Sequence, residues 1–338
     1  MNAIETFDLS HRYGKTEALD HLNLRVERGA IYGFVGPNGA GKTTTLRILA
    51  GLLEPTAGDV QLLGERLDRH GRAAQRLIGY MPDFFGVYDD LRVWEYLDFW
   101  ARCHNLPAAK RRSTVDGLLD LVDLTPKRDT FVQGLSRGMQ QRLCLAHALV
   151  HDPPILLLDE PASGLDPRAR VELRELLRAL REMGKTILLS SHILSELAEV
   201  CTALGILQSG KLVASGSLED VRRQLGAAGR LRIVVRDRAL DAEAIIRATP
   251  GVGKLEYETE SVDEHASPPA GSTARLPQTI GEARAVLLVD WNGDDDVATA
   301  LLARLVGAGI PVRSFADDGN DLEGLFLQLT ETSSTGGA

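Results

Sequence analysis

Gly36-Pro-Asn-Gly-Ala-Gly-Lys-Thr43 lies between an apolar run, Ala30 to Val35, and a helical pattern that starts at Thr43. A strand, a glycine-rich turn and a helix in that order are the setting a phosphate cradle requires. Glycines at 36, 39 and 41 let the backbone wrap close around a polyphosphate, with N–H groups and the helix N-terminus facing the negative charge. Lys42 is then placed to reach the β- and γ-phosphates, and Thr43 to offer its hydroxyl to Mg²⁺. Pro37, Asn38, Ala40 and Thr44 complete the expected nucleotide-binding run. A bare glycine-rich turn is the competing reading, and residue frequencies like these produce such a match by chance on the order of once in a hundred chains.

Composition limits what such a site can serve. With 338 residues, 44% of them hydrophobic, the chain can bury a full core and is long enough for two domains. No apolar run approaches the roughly 20 residues needed to span a bilayer, and Met1-Asn-Ala-Ile-Glu5 lacks the basic flank and apolar centre of a signal segment. A cytoplasmic location is expected. The net charge of −9 argues against broad nucleic-acid binding, which needs a surplus of Lys and Arg. Cys103, Cys144 and Cys201 stand singly, without metal-ligand spacing, and read as reduced core thiols.

As far as about residue 225, short apolar strands alternate with helical segments, the α/β pattern. Asp59 to Leu63 and Leu77 to Tyr80 read as strands. Val93 to Asp123 reads as one helical stretch whose Trp94, Tyr96, Phe99 and Trp100 recur at helical spacing, as the core of a small lobe would. Ile155 to Leu158 and Thr186 to Ser190 are continuous apolar runs, as in parallel strands buried on both faces. Each ends in a polar cluster, where doubly wound sheets collect their ligands. Asp159 is placed to hold Mg²⁺, and Glu160 to orient or deprotonate a water attacking the γ-phosphate. At the end of the second run, a neutral His192 is positioned to hydrogen-bond that water or the phosphate; a helix capped by Ser191 beside an incidental His is the alternative. Between these features, Leu135-Ser-Arg-Gly-Met-Gln-Gln-Arg142 opens a helical pattern with Ser136 as a good N-cap and Gly138 in an anion-accepting first turn.

Taken together these segments resemble the nucleotide-binding subunits of ABC transporters over residues 1 to about 225. Tyr13 matches the aromatic that stacks on adenine, and Gly36 to Thr43 the Walker A loop. Asp159-Glu160 matches the Walker B pair, Leu135 to Met139 the Leu-Ser-Gly-Gly-Gln signature, Ser163-Gly-Leu-Asp166 the D-loop, and His192 the switch histidine. The resemblance implies a P-loop NTPase of ABC type with a helical subdomain at about residues 87–150. It also implies ATP and Mg²⁺ as ligands, and a head-to-tail dimer in which each ATP lies between one Walker A loop and the other subunit's Ser136 and Gly138. Two positions depart from the pattern. Arg137 and Met139 replace the first Gly and the Gln of the signature, and Asp83 stands where the family carries the Q-loop Gln or Glu. Asp83 is therefore expected near the metal and the catalytic groups, reaching Mg²⁺ through water.

A second domain is expected over residues 226–332. Ser217-Leu-Glu-Asp220 resembles a capping box and Gly226-Ala-Ala-Gly229 a joint. Leu231 to Val235, a helix near Leu240 to Thr249 and a strand near Gly253 to Tyr257 form one β-α-β unit. Ala285 to Val289, a helix from Asp296 to Val306 and Ile310 to Phe315 form another. A small α+β, ferredoxin-like domain follows, with a mobile insertion at about residues 258–282. Asp321 to Thr330 reads as an amphipathic helix, an ending that resembles the extension of ABC-2-type export ATPases.

The expectation is an ATP-hydrolysing subunit at the cytoplasmic membrane face that powers a separate permease, most simply for export, paired with a second copy or a paralogous ATPase subunit. A soluble ABC ATPase acting on nucleic acid, ribosomes or cluster assembly is the alternative. A P-loop kinase or GTPase is a third, weakened by the lack of an Asn-Lys-x-Asp guanine reader and of any role for the signature helix.

Overall fold

The computed structural model describes residues 1–67, 72–83, 90–224, 229–258, 285–291 and 295–317. The chain divides into two compact units, with the boundary in sequence between Val221 and Arg222. In the first unit, a six-stranded sheet runs in the order Lys211–Gly216, Ala203–Gln208, Ile31–Val35, Thr186–Ser191, Ile155–Leu158, Ile78–Met81. All neighbours are parallel except the edge pair Ala203–Gln208 with Lys211–Gly216. Every residue of Ile31–Val35, Ile155–Leu158 and Thr186–Ser191 is buried, because helices cover both faces of a parallel sheet. Register carries the consequence for the site. Val35 pairs with Ser191, Leu158 with Leu189 and Met81 with Leu158, so the residues that follow these strands emerge side by side at one sheet edge. A second, antiparallel sheet is built on the long strand Asn2–Tyr13, with Thr16–Leu22, Arg25–Glu27, Ala57–Leu62 and Glu65–Arg66. Its Ile4, Leu9, Leu22, Leu24 and Leu62 share one apolar core with Phe34, Leu46 and Leu157 of the parallel layer.

The helical lobe differs from its sequence reading. Val93 to Asp123 is two helices, Val93–Cys103 and Ala108–Leu121, not one. Asn105 takes a left-handed φ of 58°, and Pro107 caps the second helix at φ −56°. Proline denies the helix an N–H and bars the preceding residue from helical φ/ψ, so the chain turns there. Of Trp94, Tyr96, Phe99 and Trp100, Tyr96 alone is fully buried, while Phe99 is exposed and the two tryptophans are half-buried. The guanidinium of Arg128 lies 5.2 Å from the Trp94 ring centroid, which leaves that ring a partner at the surface rather than in the core. Cys103 is exposed, at the end of its helix, so the reading of all three thiols as core fails there. Cys144 is buried, and burial pushes its thiol up to about 12.

Where the lobe meets the parallel sheet, three histidines gather. His147 stacks on Trp100 with ring centroids 4.0 Å apart, and His151 stacks on His104 at the same distance. His151 Nε2 lies 3.1 Å from the Ile78 carbonyl, an acceptor, so that nitrogen carries the proton. Burial first, and then the neighbouring His104 and His151, hold His147 down at about 4. Burial and His104 hold His151 at about 4 as well, against the pull of the Ile78 carbonyl and Asp152. An unfolded imidazole takes up its proton near pH 6.5 and these two only near 4, so between those values the unfolded chain binds more protons and stability falls as pH falls. The expected loss is about 1–3 kcal/mol for His147 from pH 6.5 to 4, and a smaller one for His151, whose more exposed ring is screened by solvent, with no loss above that window. Urea denaturation across this range measures it, and His147→Phe, which keeps a ring against Trp100, is expected to flatten the slope.

The second unit carries strands Gly229–Val235, Val252–Glu258, Ala285–Trp291 and Val312–Asp317, and helices Ala239–Arg247 and Asp295–Gly307. Sheet order is second, third, first, fourth, with every pair antiparallel. This is the split β-α-β arrangement. Leu231, Ile233, Val235, Leu287 and Val289 pack one sheet face against Ala242, Ile246, Leu301 and Leu305 of the two helices. The capping box forms at the helix Leu218–Gln224: Ser217 Oγ accepts from the Asp220 N–H at 3.1 Å, and Asp220 Oδ2 accepts from the Ser217 N–H at 3.2 Å. Most of the expected joint at 226–229 and of the insertion at 258–282, and the whole of the closing helix at 321–330, lie outside the described residues.

Candidate nucleotide site

Strand Ile31–Val35 feeds the glycine loop, and the helix Lys42–Leu49 leaves it. Gly41, at φ 109°, caps that helix. A Cβ there would sit 2.6 Å from the Ala18 carbonyl oxygen, so only glycine lets the loop pass under the neighbouring strand. At Gly36, too, a Cβ would meet this protein's own backbone, 2.4 Å from the Leu207 oxygen, whereas Gly39 faces open space. Two of the three glycines are thus required by packing beneath the loop as well as by whatever lies above it.

Lys42 is buried, and its Nζ donates to the carbonyl oxygens of Gly36 at 2.6 Å and Pro37 at 3.3 Å. It also lies 3.4 Å from Glu160 Oε1, while Glu160 Oε2 is 2.9 Å from His192 Nδ1. An ionised carboxylate only accepts, so His192 Nδ1 holds a proton, and Nε2 is an acceptor in the neutral form of this half-exposed ring. Asp159 is almost fully buried. Burial raises its carboxyl above the usual range, hydrogen bonds from Ser190 and Thr43 oppose this, and the carboxylates of Glu160 and Asp83 add to the rise. Asp83 itself is exposed. Ser190 ties the acidic pair together: its hydroxyl donates to Asp159 Oδ1 at 2.7 Å and accepts from the Glu160 N–H at 2.9 Å. Glu160 takes a left-handed φ of 48°, a cost of order 1–2 kcal/mol for a residue with a Cβ.

The fold therefore brings Lys42, Thr43, Asp159, Glu160 and His192 into one connected group, within the field of Asp83. Ser190 belongs to it and was not singled out in the sequence; a hydroxyl closing a buried apolar strand was the available signal. Ser191 does not cap a helix. It accepts from the Ile193 N–H at 3.0 Å, and Ile193 is the capping residue of Leu194–Ala198. Tyr13, nearly half exposed, ends the strand Asn2–Tyr13 with its ring edge-on to His11 at 4.6 Å. Ser136 caps the helix Arg137–Ala148, accepting from the Met139 N–H, and Gly138 packs beside Leu165 and Ala169. Asp166 caps the helix Pro167–Glu182, accepting from the Ala169 N–H at 2.8 Å.

The donor set fits a triphosphate with a divalent cation. Among the described residues, a buried ammonium at the mouth of a glycine loop is held by carbonyls and one carboxylate, and an almost fully buried carboxylate is in contact with the Thr43 hydroxyl amid further negative charge. Comparison with known proteins agrees. The model of the ABC transporter family matches residues 19–163. The Nod factor export ATP-binding protein I of Ralstonia nicotianae is 43% identical over 213 residues, 63% of this chain and 66% of that protein. The bacitracin transport ATP-binding protein BcrA of Bacillus licheniformis is 39% identical over 222 residues, 65% of this chain and 72% of that protein. This chain belongs to the ABC transporter family. Among solved structures, an ATP-binding subunit of an ABC transporter superposes at TM-score 0.60 with 34% identity, covering 66% of this chain and 93% of that one. A dimeric ABC cassette in a post-hydrolysis state with ADP and phosphate superposes at 0.58 with 25% identity, covering 64% of this chain and 98% of that one. Residues 19–163 carry the match to the ABC transporter family, and in the curated relatives the aligned part spans about two thirds of each protein.

Proposed function

We propose that this ABC subunit hydrolyses ATP as a head-to-tail pair, with a second copy of itself or a paralogous subunit, and thereby powers a separate membrane permease that exports substrate. The observation that carries the catalytic part is the contact chain Lys42, Glu160, His192 at the mouth of the phosphate loop. When ATP enters, Lys42 exchanges the Gly36 and Pro37 carbonyls for phosphate oxygens. Glu160 takes a proton from the attacking water, and His192 presents Nε2 to that water or to a hydroxylated γ-phosphate. Thr43 and Asp159, with Asp83 through water, are the residues that would hold Mg²⁺, whose role is to neutralise charge on the phosphate oxygens. Ser190 keeps Asp159 and Glu160 in register. Tyr13 stacks on adenine, and Ser136 and Gly138 receive the other subunit's γ-phosphate. Asp166 supports that interface from the D-loop.

Export is supported by what the relatives' names say they do, Nod factor export among them. Among the described residues no helix is long and apolar enough to cross a membrane; in this reading another chain supplies the path for substrate. In this reading the subunit sits at the cytoplasmic face of the membrane through that chain. The described residues 229–258, 285–291 and 295–317 belong to a ferredoxin-like accessory domain, and Asp83 lies on the hinge between the catalytic edge and the helical lobe that receives the permease. Affinity purification from detergent-solubilised membranes tests this: co-elution with a multi-span membrane protein that stimulates ATP turnover is expected. Recovery only with ribosomes or nucleic acid would instead support the soluble alternative.

A further inference from the structure

Arg137 is an anomaly at its position. It opens the helix Arg137–Ala148, directly after the N-cap Ser136, where the helix dipole disfavours a cation and no acidic residue in the first turn offsets it. Its guanidinium lies against the D-loop of the same chain. A Cβ built on Gly164, which has a φ of 69°, would fall 2.4 Å from Arg137 Cζ and 2.5 Å from Nη1. The guanidinium plane thus occupies the space a side chain at 164 would fill. One helical turn along, Gln141 Nε2 donates to the Ser163 carbonyl at 3.0 Å. The Ser163 N–H in turn donates to the Glu160 carbonyl at 3.0 Å. Two side chains of one helix therefore hold the loop that begins at the catalytic carboxylate.

We propose that Arg137 is a positioning residue: it clamps the D-loop at Gly164 to the start of the signature helix, so that phosphate arriving at Ser136 and Gly138 from the partner's site sets Glu160 in this chain's own site. This rests on the dimeric ATPase reading above. Arg137 and Gly164 are both exposed, on the segments that reading gives to the dimer interface. The clamp needs a flat guanidinium over a residue without a Cβ, so lysine, a point charge on a flexible stem, does not replace it. Occupancy of either site then alters the other through a contact inside one subunit, which is a coupling free energy between two sites.

The test uses the full chain with Arg137→Ala, Arg137→Lys and Gly164→Ala, reading ATPase against ATP concentration and backbone hydrogen exchange at residues 163–165 without nucleotide. Expected for Arg137→Ala and Arg137→Lys is a roughly 5- to 10-fold lower kcat at little-changed half-saturation. The Hill coefficient falls toward 1, and exchange at 163–165 quickens by about the same factor. Combining Arg137→Ala with Gly164→Ala is expected to cost no more than the worse single change, because both break one contact. Unchanged exchange in Arg137→Ala overturns the clamp whatever the ATPase does, and full rescue by lysine overturns the requirement for a planar group. A wild-type chain without ATPase activity overturns the functional reading and the coupling with it, while exchange still decides whether the clamp exists.

Discussion

Glu160→Gln is expected to lower ATP turnover by about 10²- to 10⁴-fold, the range for loss of a positioned general base, while ATP still binds. The geometry separates the two effects. Glu160 touches Lys42 through one carboxylate oxygen and His192 through the other, and in the proposed mechanism a water between that carboxylate and the γ-phosphate loses a proton. Glutamine keeps the shape and one acceptor oxygen but cannot take the proton. The Ser190 hydrogen bond that orients this position comes from the Glu160 backbone N–H, so the substitution leaves it in place. Single-turnover hydrolysis and nucleotide affinity, measured on the same preparation, check the expectation. Parallel loss of both would mean that Glu160 is a binding residue.

Lys42→Ala is expected to remove both ATP affinity and turnover, the latter by at least about 10²- to 10³-fold, the cost of deleting one group that stabilises developing charge in a dry site. It should also cost stability. The side chain is buried and donates to two backbone carbonyls, which alanine leaves without that donor; about 1–3 kcal/mol is the expected penalty. For a domain of this size that corresponds to roughly 2–4 °C in Tm per kcal/mol. Isothermal titration with ATP and a melting curve separate the two losses. Wild-type affinity in the variant would move the γ-phosphate contact to another residue.

The strands that carry the candidate site were legible because each is a short local string with a structural period. Ile31–Val35 and Ile155–Leu158 are apolar without alternation, which only a strand covered on both faces permits, and each is followed at once by its polar residues. What joins those strings was not legible. The Ser190 bond to Asp159 links positions 31 apart and depends on which strands are neighbours, and the Arg137 contact with Gly164 depends on how two helices meet. The break in the lobe was readable at Asn105 and Pro107, yet the aromatic spacing across Val93–Cys103 drew the expected helix through it. Spacing likewise said that Trp94, Tyr96, Phe99 and Trp100 share a helix, but not which of them face the interior, because the covering partner comes from elsewhere in the chain.

The central claim is that nucleotide bridges two cassettes, with the Walker A loop of one facing Ser136 and Gly138 of the other. Light scattering coupled to sizing chromatography on Glu160→Gln, with and without ATP and Mg²⁺, tests it most directly. The account predicts a monomer without nucleotide and a doubled mass with ATP, with the doubling lost when Ser136→Arg places a long cation at the signature helix N-cap. A variant that binds ATP stoichiometrically and remains monomeric, both alone and mixed with the paralogous subunit, would contradict it.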